Sequence, residues 1–110
     1  MKLSELKNHQ KGITIELKVI YDRMNVMEKW GHRIKTLAVV DADSTNSENT
    51  ALLDVYDKDI ERFKFQDKLR VVNGCAKRIK THRNGKEVKQ LLINYGFENK
   101  IPVGYYEKIG

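Results

Sequence analysis

Residues 75–95 read CAKRIKTHRNGKEVKQLLINY and decide the fold. Two runs of strand-forming residues flank the pair Asn84-Gly85. An Asn-Gly pair is favoured in a two-residue hairpin turn because both residues tolerate the positive φ angles that a type I′ turn requires. The stretch therefore predicts a long β-hairpin with its tip at Asn84-Gly85.

This hairpin holds almost all of the excess positive charge. Residues 77–89 contain six Lys or Arg side chains and one acid, a net charge of +5, whereas the whole chain has a net charge of +6. Such a concentration of charge is typical of an arm that binds a polyanion. The alternative is a solvated hairpin whose lysines protect its strand edges from pairing.

Length and composition indicate one globular domain. The chain has 110 residues, of which 40% are hydrophobic and 33% charged, so it can bury a core of its own. No apolar run approaches the roughly 20 residues of a membrane span, and the first residues lack the apolar centre of a secretory signal. Cys75 is the only cysteine, which excludes an internal disulfide and favours a reducing compartment such as the cytoplasm.

Alternation of apolar and polar residues predicts five strands. In the first strand the odd positions point inward, and Ile20 interrupts the outer face, which indicates a bulge or a strand that turns a corner. The fourth strand runs on into the basic hairpin, and Gly74 within it indicates a bulge or a close backbone approach. The predicted strands cover residues 13–21, 33–43, 50–56, 68–75 and 86–95.

The connecting segments carry weaker signals. Residues 23–32 form a loop with Trp30, which we expect to be exposed or half-exposed because its neighbours include Lys29, His32 and Arg33. Residues 41–49 form a turn, and Leu3 and Leu6 pack a short N-terminal turn against the domain. Asp57 is a predicted N-cap for a short helix over residues 57–64, with Ile60, Phe63 and Phe65 as core residues. Residues 1–96 form the domain, and residues 97–110 either cover the barrel or begin a linker.

The predicted element order is that of an all-β, five-stranded Greek-key barrel with a short helix between strands 3 and 4, the OB-fold. The motifs SELK, ITIELKVI, AVVDAD, ALLDVY, DIERFKFQDKLRVVNG and LLINYG, in this order, resemble the single-stranded DNA-binding OB domains of archaeal replication protein A and related single-stranded DNA-binding proteins. The resemblance covers about residues 3–96. It implies a module that binds single-stranded DNA largely without sequence preference in replication, repair or recombination. Such a module would be cytoplasmic and associated with the nucleoid.

Binding of this kind requires a positive groove for phosphates and aromatic faces for bases. Alternation places Tyr56 on the outer face of the third strand, and Asp54 shares that face. The other candidates lie on the second strand, in the first loop and along the hairpin. The full set of predicted nucleic-acid-binding residues is Trp30, Arg33, Lys35, Tyr56, Lys77, Arg78, Lys80, His82, Arg83 and Lys86.

Two other partner classes remain open. Near the end of the fourth strand the chain has Cys75 or Ala76 where the family has an aromatic residue, which favours an OB domain that docks on other subunits of a replication assembly. RNA or tRNA binding uses the same fold and chemistry.

The sequence predicts a protein that is not an enzyme and has no cofactor. His9, His32 and His82 share no metal-ligand spacing with Cys75, and no phosphate-binding glycine loop is present. The absence of a basic amphipathic helix argues against a membrane partner.

Overall fold

The computed structural model describes residues 1–44, 50–99 and 101–110, without the side chain of Arg83. The predicted turn over residues 41–49 therefore falls partly outside the described residues. Two short 3-10 turns, Leu3–Glu5 and Asp57–Asp59, accompany the strands. The strands are β1 (Gln10–Tyr21), β2 (Met27–Lys29), β3 (His32–Asp41), β4 (Ala51–Tyr56), β5 (Lys68–Arg83), β6 (Lys86–Asn94), β7 (Phe97–Glu98), β8 (Ile101–Pro102) and β9 (Tyr105–Ile109).

Five of these strands close into a barrel in the order β1-β3-β4-β6-β5, because β5 pairs back to β1. The β4–β6 pairing is parallel, and the other pairings around the barrel are antiparallel. This strand order with one parallel seam is the OB-fold, so the predicted all-β fold class is confirmed. Asn84 and Gly85 form the predicted hairpin turn, with φ angles of 53° and 76°.

Strand β1 closes the barrel because it pairs with two strands. Its first part pairs with β5, and its last part pairs with β3. The register shifts between Val19 and Tyr21, which confirms the bulge that Ile20 indicated. The prediction for Gly74 is also confirmed, since a Cβ there would lie 2.4 Å from a methyl carbon of Val71 and 2.8 Å from the Asn94 carbonyl.

The core follows the predicted alternation. The inward residues of β1 are Ile13, Ile15, Leu17 and Val19, and each is almost completely buried. Fully burying a side chain of this size contributes roughly 1.5–3 kcal/mol to stability. Leu3 and Leu6 cover one end of this core, as predicted.

The segment between β4 and β5 differs from the prediction. The expected helix over residues 57–64 is only the 3-10 turn Asp57–Asp59, because Asp57 has a φ of 46° and does not adopt the extended conformation of an N-cap. Its carboxylate instead accepts a hydrogen bond from the backbone N–H of Arg33, 3.0 Å away. Phe63 is buried as predicted, whereas Phe65 is 57% exposed and does not belong to the core.

The last described strand packs on the barrel. Strand β9 pairs with Lys68–Val72 of β5. Tyr106 of β9 is 2% exposed, and its hydroxyl donates a hydrogen bond to the backbone carbonyl of Asp54 at 2.8 Å. Residues 105–109, whose role the sequence left open, therefore contribute a side chain to the core directly behind β4.

Candidate nucleic-acid interface

The outer face of β3 and β4 forms a strip that we call the groove floor. Residues directly opposite each other in an antiparallel ladder share one face of the sheet. The register pairs Ile34 with Tyr56, Thr36 with Asp54, and Ala38 with Leu52. The alternating residues, Leu37, Leu53 and Val55 among them, point into the barrel and are buried. The groove floor therefore consists of Ile34, Thr36, Ala38, Leu52, Asp54 and Tyr56.

One end of the groove floor opens into a pocket of about 500 Å³ lined by four rings. This aromatic pocket consists of Trp30, His32, Tyr56 and Phe97. The Phe97 ring centroid lies 5.3 Å from that of Tyr56 at an interplanar angle of 70°, and the His32 centroid lies 6.2 Å from it at 85°. Edge-to-face contacts of this kind are favourable and fix the rings relative to one another.

Tyr56 lies on the outer face, where alternation placed it, but it is half-buried rather than free. Its ring rests on Tyr95, with the centroids 5.3 Å apart. Desolvation and the nearby Asp54 carboxylate raise the pKa of Tyr56 to about 12. The ring thus serves as a fixed wall of the aromatic pocket and also stabilises the structure beneath it.

Tyr95 is itself held by a partly buried polar network. Its hydroxyl donates to one carboxylate oxygen of Asp59, and the other oxygen accepts a hydrogen bond from Arg62 at 2.6 Å. On its inner side Tyr95 stacks on Tyr106, with the centroids 4.3 Å apart. Rings therefore run in contact from the core to the aromatic pocket, and this support limits the movement of Tyr56.

Trp30 stands at the rim of the pocket in an unfavourable backbone conformation. Trp30 and Gly31 form the two-residue turn between β2 and β3, with φ angles of 54° and 79°. A bulky side chain at positive φ is uncommon and costs roughly 1–2 kcal/mol. The side chain is 85% exposed, and the Lys29 ammonium lies 4.5 Å from the ring centroid. Strained conformations of this kind cluster at functional sites.

Asp57 fixes the position of His32. Its carboxylate accepts a hydrogen bond from the His32 Nδ1 atom at 2.8 Å. This bond, together with the bond from the Arg33 N–H, holds the pKa of Asp57 below its usual value. The His32–Asp57 pair links the start of β3 to the end of β4 and keeps the His32 imidazole beside Tyr56.

The other end of the groove floor lies against the basic hairpin. A second pocket, of about 480 Å³, has Ala38 and Leu52 as its floor. The end of β1 and the following loop form one wall, and the hairpin forms the other. The wall residues are Ile20, Tyr21, Met24, Thr81, His82 and Gln90, and Thr50 lies beside the floor, just before β4. Along β4 the nearest lining residues of the two pockets are Leu52 and Tyr56, which are about 13 Å apart, since they are four positions apart and each position adds about 3.3 Å.

The predicted cations divide between two faces. Lys77 is paired with Leu92, which is itself paired with Leu52 of the groove floor, so Lys77 lies on the groove face. Lys86 lies on the same face, because it is on the same strand as Leu92 and separated from it by an even number of positions. Arg78 and Lys80 alternate with Lys77 and lie on the opposite face of the hairpin. His82 reaches the second pocket, and the side chain of Arg83 lies outside the described residues.

Two predicted residues of β3 are not brought together with Tyr56. Lys35 is paired with Val55, a core residue, and Arg33 has the same parity as Lys35. Both therefore lie on the face of β3 opposite Tyr56. A role for them in the groove has no geometric support, although they add to the overall positive charge.

The sequence-based prediction did not include His32 or Phe97. Phe97 follows Gly96, whose φ of 69° turns the chain after β6 and brings the ring back over Tyr56. An aromatic residue two positions after the predicted fifth strand is the only sequence signal for this position. For His32 the signal was weaker, because its position depends on a turn that contains tryptophan.

Comparisons with known proteins assign no family. No protein-family model matches this chain, and no curated protein sequence matches it at a significant level. Within the described ranges, no group of three or more His, Cys, Asp or Glu side chains is arranged to hold a metal ion. The described residues also contain no helix with the length and apolar character needed to span a membrane.

Proposed function

We propose that this chain binds single-stranded DNA along the groove floor, largely without sequence preference. The observation that carries the proposal is Trp30, an exposed indole held in a strained turn at the rim of a pocket lined by three further rings. In solution this exposed apolar surface is costly, and a stacked base would cover it. Stacking on aromatic side chains contributes roughly 1–3 kcal/mol per base.

Lysines on the groove face supply the phosphate contacts. Lys77 lies on this face, and both Lys77 and Lys29 are close enough to Asp54 to favour its ionised form. Lys86 extends the same face toward the hairpin tip. Each phosphate neutralised on a single strand lowers the slope of log K against log salt by about 0.7, so the affinity should fall steeply with salt.

The biological setting that fits is a module similar to archaeal replication protein A, acting in replication, repair or recombination. The OB-fold supports this setting, because its strand face and flanking loops are a common oligonucleotide-binding surface. In this barrel the flanking loops are the loop after β1 and the β5–β6 hairpin. The aromatic pocket lies beside the first, and the second pocket lies beside the hairpin. Binding rather than catalysis is the proposed activity.

A second candidate is docking of a protein segment. Met27 is 69% exposed and lies opposite Ile34, next to the aromatic pocket. Exposed apolar side chains beside an aromatic pocket are also typical of protein-binding surfaces. A protein ligand would depend on these apolar contacts and only weakly on salt, which separates it from a nucleic acid.

A fluorescence titration tests the proposal. Trp30 is the only tryptophan, so its emission reports on the pocket itself. We expect a 15-nucleotide single-stranded DNA to quench this emission at low salt and to be released as salt rises. Single-stranded RNA and duplex DNA of the same sequence are the comparisons, and Phe97→Ala is expected to weaken binding. Absence of any change with either single strand would overturn the proposal, and tighter binding of RNA would reassign the ligand.

A further inference from the structure

A carboxylate lies in the middle of a groove that otherwise carries positive charge. Asp54 is paired with Thr36 and lies between the aromatic pocket and the second pocket. A phosphate at this point would be repelled. The part of the ligand above Asp54 should therefore be a base, with the phosphates displaced toward Lys77 and Lys29.

The carboxylate retains acceptor capacity. Thr36 Oγ1 donates to one of its oxygens at 2.8 Å, and within the described part of the chain no other side chain donates to it. An ionised carboxylate offers about four acceptor positions on its two oxygens. Burial raises the pKa of Asp54, while the Thr36 hydrogen bond and the two lysines act in the opposite direction. A hydrogen-bond donor on a ligand would restore the solvation that the carboxylate has lost.

We propose that Asp54 determines base preference at one nucleotide of the groove, favouring cytosine over thymine. Cytosine presents its N4 amino group as a donor, and a carboxylate is the acceptor that suits it. Thymine presents the O4 carbonyl at the same position, and that oxygen would face the carboxylate with like partial charge. This inference rests on the proposed function, and adds one selective position to a site that is otherwise indifferent to sequence.

The position of Asp54 supports a direct contact. Residues 54 and 56 are two apart on one strand, so their side chains point to the same face about 7 Å apart. A base stacked against Tyr56 therefore places its neighbour over Asp54. Thr36 holds the carboxylate in one orientation, which a selective contact requires.

The test compares two homopolymers on the unmodified protein and on one variant. Oligo-dC and oligo-dT of 15 nucleotides are titrated at the same salt concentration, with Trp30 emission as the signal. We expect oligo-dC to bind at least about fivefold more tightly, the low end of what one base contact contributes. Asp54→Asn should reduce this ratio to about twofold or less, because an amide can donate to thymine O4 as well as accept from cytosine. Asparagine retains the oxygen that accepts from Thr36, so the fold should be preserved.

The control is Glu61→Gln, which removes one negative charge from an exposed side chain that is paired with Lys64 and lines neither pocket. It should leave the ratio unchanged. Equal binding of the two homopolymers by the unmodified protein would overturn this inference and leave the proposed function intact. A preference that persists in Asp54→Asn would assign selectivity to another residue. Failure of both oligonucleotides to bind would overturn the proposed function and this inference with it.

Discussion

Trp30 and Asn84 hold the same left-handed backbone conformation, with φ angles of 54° and 53°, at the first central position of two hairpin turns. Each is followed by a glycine at positive φ, Gly31 in one turn and Gly85 in the other. Asparagine is favoured at such a position, and tryptophan is not. The chain therefore uses the favourable residue at the tip of the basic hairpin and accepts an unfavourable one beside the aromatic pocket.

Replacing Trp30 by asparagine should stabilise the protein and weaken its binding. We expect Trp30→Asn to raise the free energy of unfolding by about 1 kcal/mol, because the strain of an indole at positive φ is removed. Affinity for single-stranded DNA should fall by about tenfold or more with the loss of a stacking surface. Urea denaturation and the anisotropy of a labelled oligonucleotide measure the two effects. Trp30→Phe, which keeps both a ring and the strain, is the matched control and should change neither quantity greatly.

Lys77 and Arg78 offer a matched test of which hairpin face binds phosphate. They are adjacent in β5 and carry the same charge, but they lie on opposite faces of the hairpin. Lys77→Ala should weaken binding. It should also make the slope of log K against log salt less steep by about 0.7, the contribution of one phosphate. Arg78→Ala should leave the slope nearly unchanged. Titrations of both variants at several salt concentrations provide the measurement. Equal changes in slope would contradict this prediction and show that positive charge on either face of the hairpin contributes equally.

High pH should destabilise the barrel through its buried tyrosines. Burial raises the pKa of Tyr56 to about 12 and that of Tyr106 well above its usual value, with desolvation the largest cause in both. The unfolded chain releases these protons near pH 10, whereas the folded chain retains them. Their contribution to stability is therefore complete below about pH 10 and is lost as pH rises toward about 12.

Tyr56→Phe should reduce this loss, because phenylalanine has no proton to release. Urea midpoints measured across the alkaline range provide the comparison. Tyr105→Phe, at an exposed position of β9, is the control and should follow the unmodified protein. An alkaline profile of Tyr56→Phe identical to that of the unmodified protein would contradict the assignment.

Tyr106 should be essential to the barrel although it lies beyond the five barrel strands. Tyr106→Ala removes a buried ring that stacks on Tyr95, and such deletions cost about 3–5 kcal/mol. Tyr106→Phe removes only the hydrogen bond to the Asp54 carbonyl, at a cost of about 1 kcal/mol. Tyr105→Ala, the exposed neighbour, should change stability by less than about 0.5 kcal/mol. Urea denaturation of the three variants checks this order.

The strands could be predicted from sequence because alternation and turn chemistry agree along them. The inward residues of β1 and the Asn84-Gly85 turn are local signals, and the structure confirms both. The predicted helix after Asp57 was wrong because the Asp57 carboxylate accepts hydrogen bonds from residues of β3 instead of capping a helix. This contact joins segments that are distant in the sequence, so no local pattern reveals it. The same limitation applies to Tyr106, since only the folded barrel shows that β9 has a place beside β5.

For the candidate site, the sequence predicted which types of residue take part better than it predicted where they lie. Trp30 and Tyr56 follow from exposure and alternation, and both line the aromatic pocket. Arg33 and Lys35 were grouped with Tyr56 because they lie on the neighbouring strand, but the register places them on the opposite face. Phe97 was missed because its position depends on a reversal of the chain at Gly96.

The parallel pairing of β4 with β6 has a mechanical consequence. In the described residues this seam consists of Leu52 opposite Leu92 and Leu53 opposite Ile93, whereas the β5–β6 ladder continues along the whole hairpin. Local opening of the barrel should therefore occur most readily between β4 and β6, where few residue pairs join the strands. Because Leu52 also belongs to the groove floor, a ligand that contacts both β4 and β6 should hold the two strands together. Successive residues of β6 point their N–H groups alternately to β4 and to β5, so of Leu92 and Ile93 the one that donates to β4 should show slower amide exchange when the groove is filled.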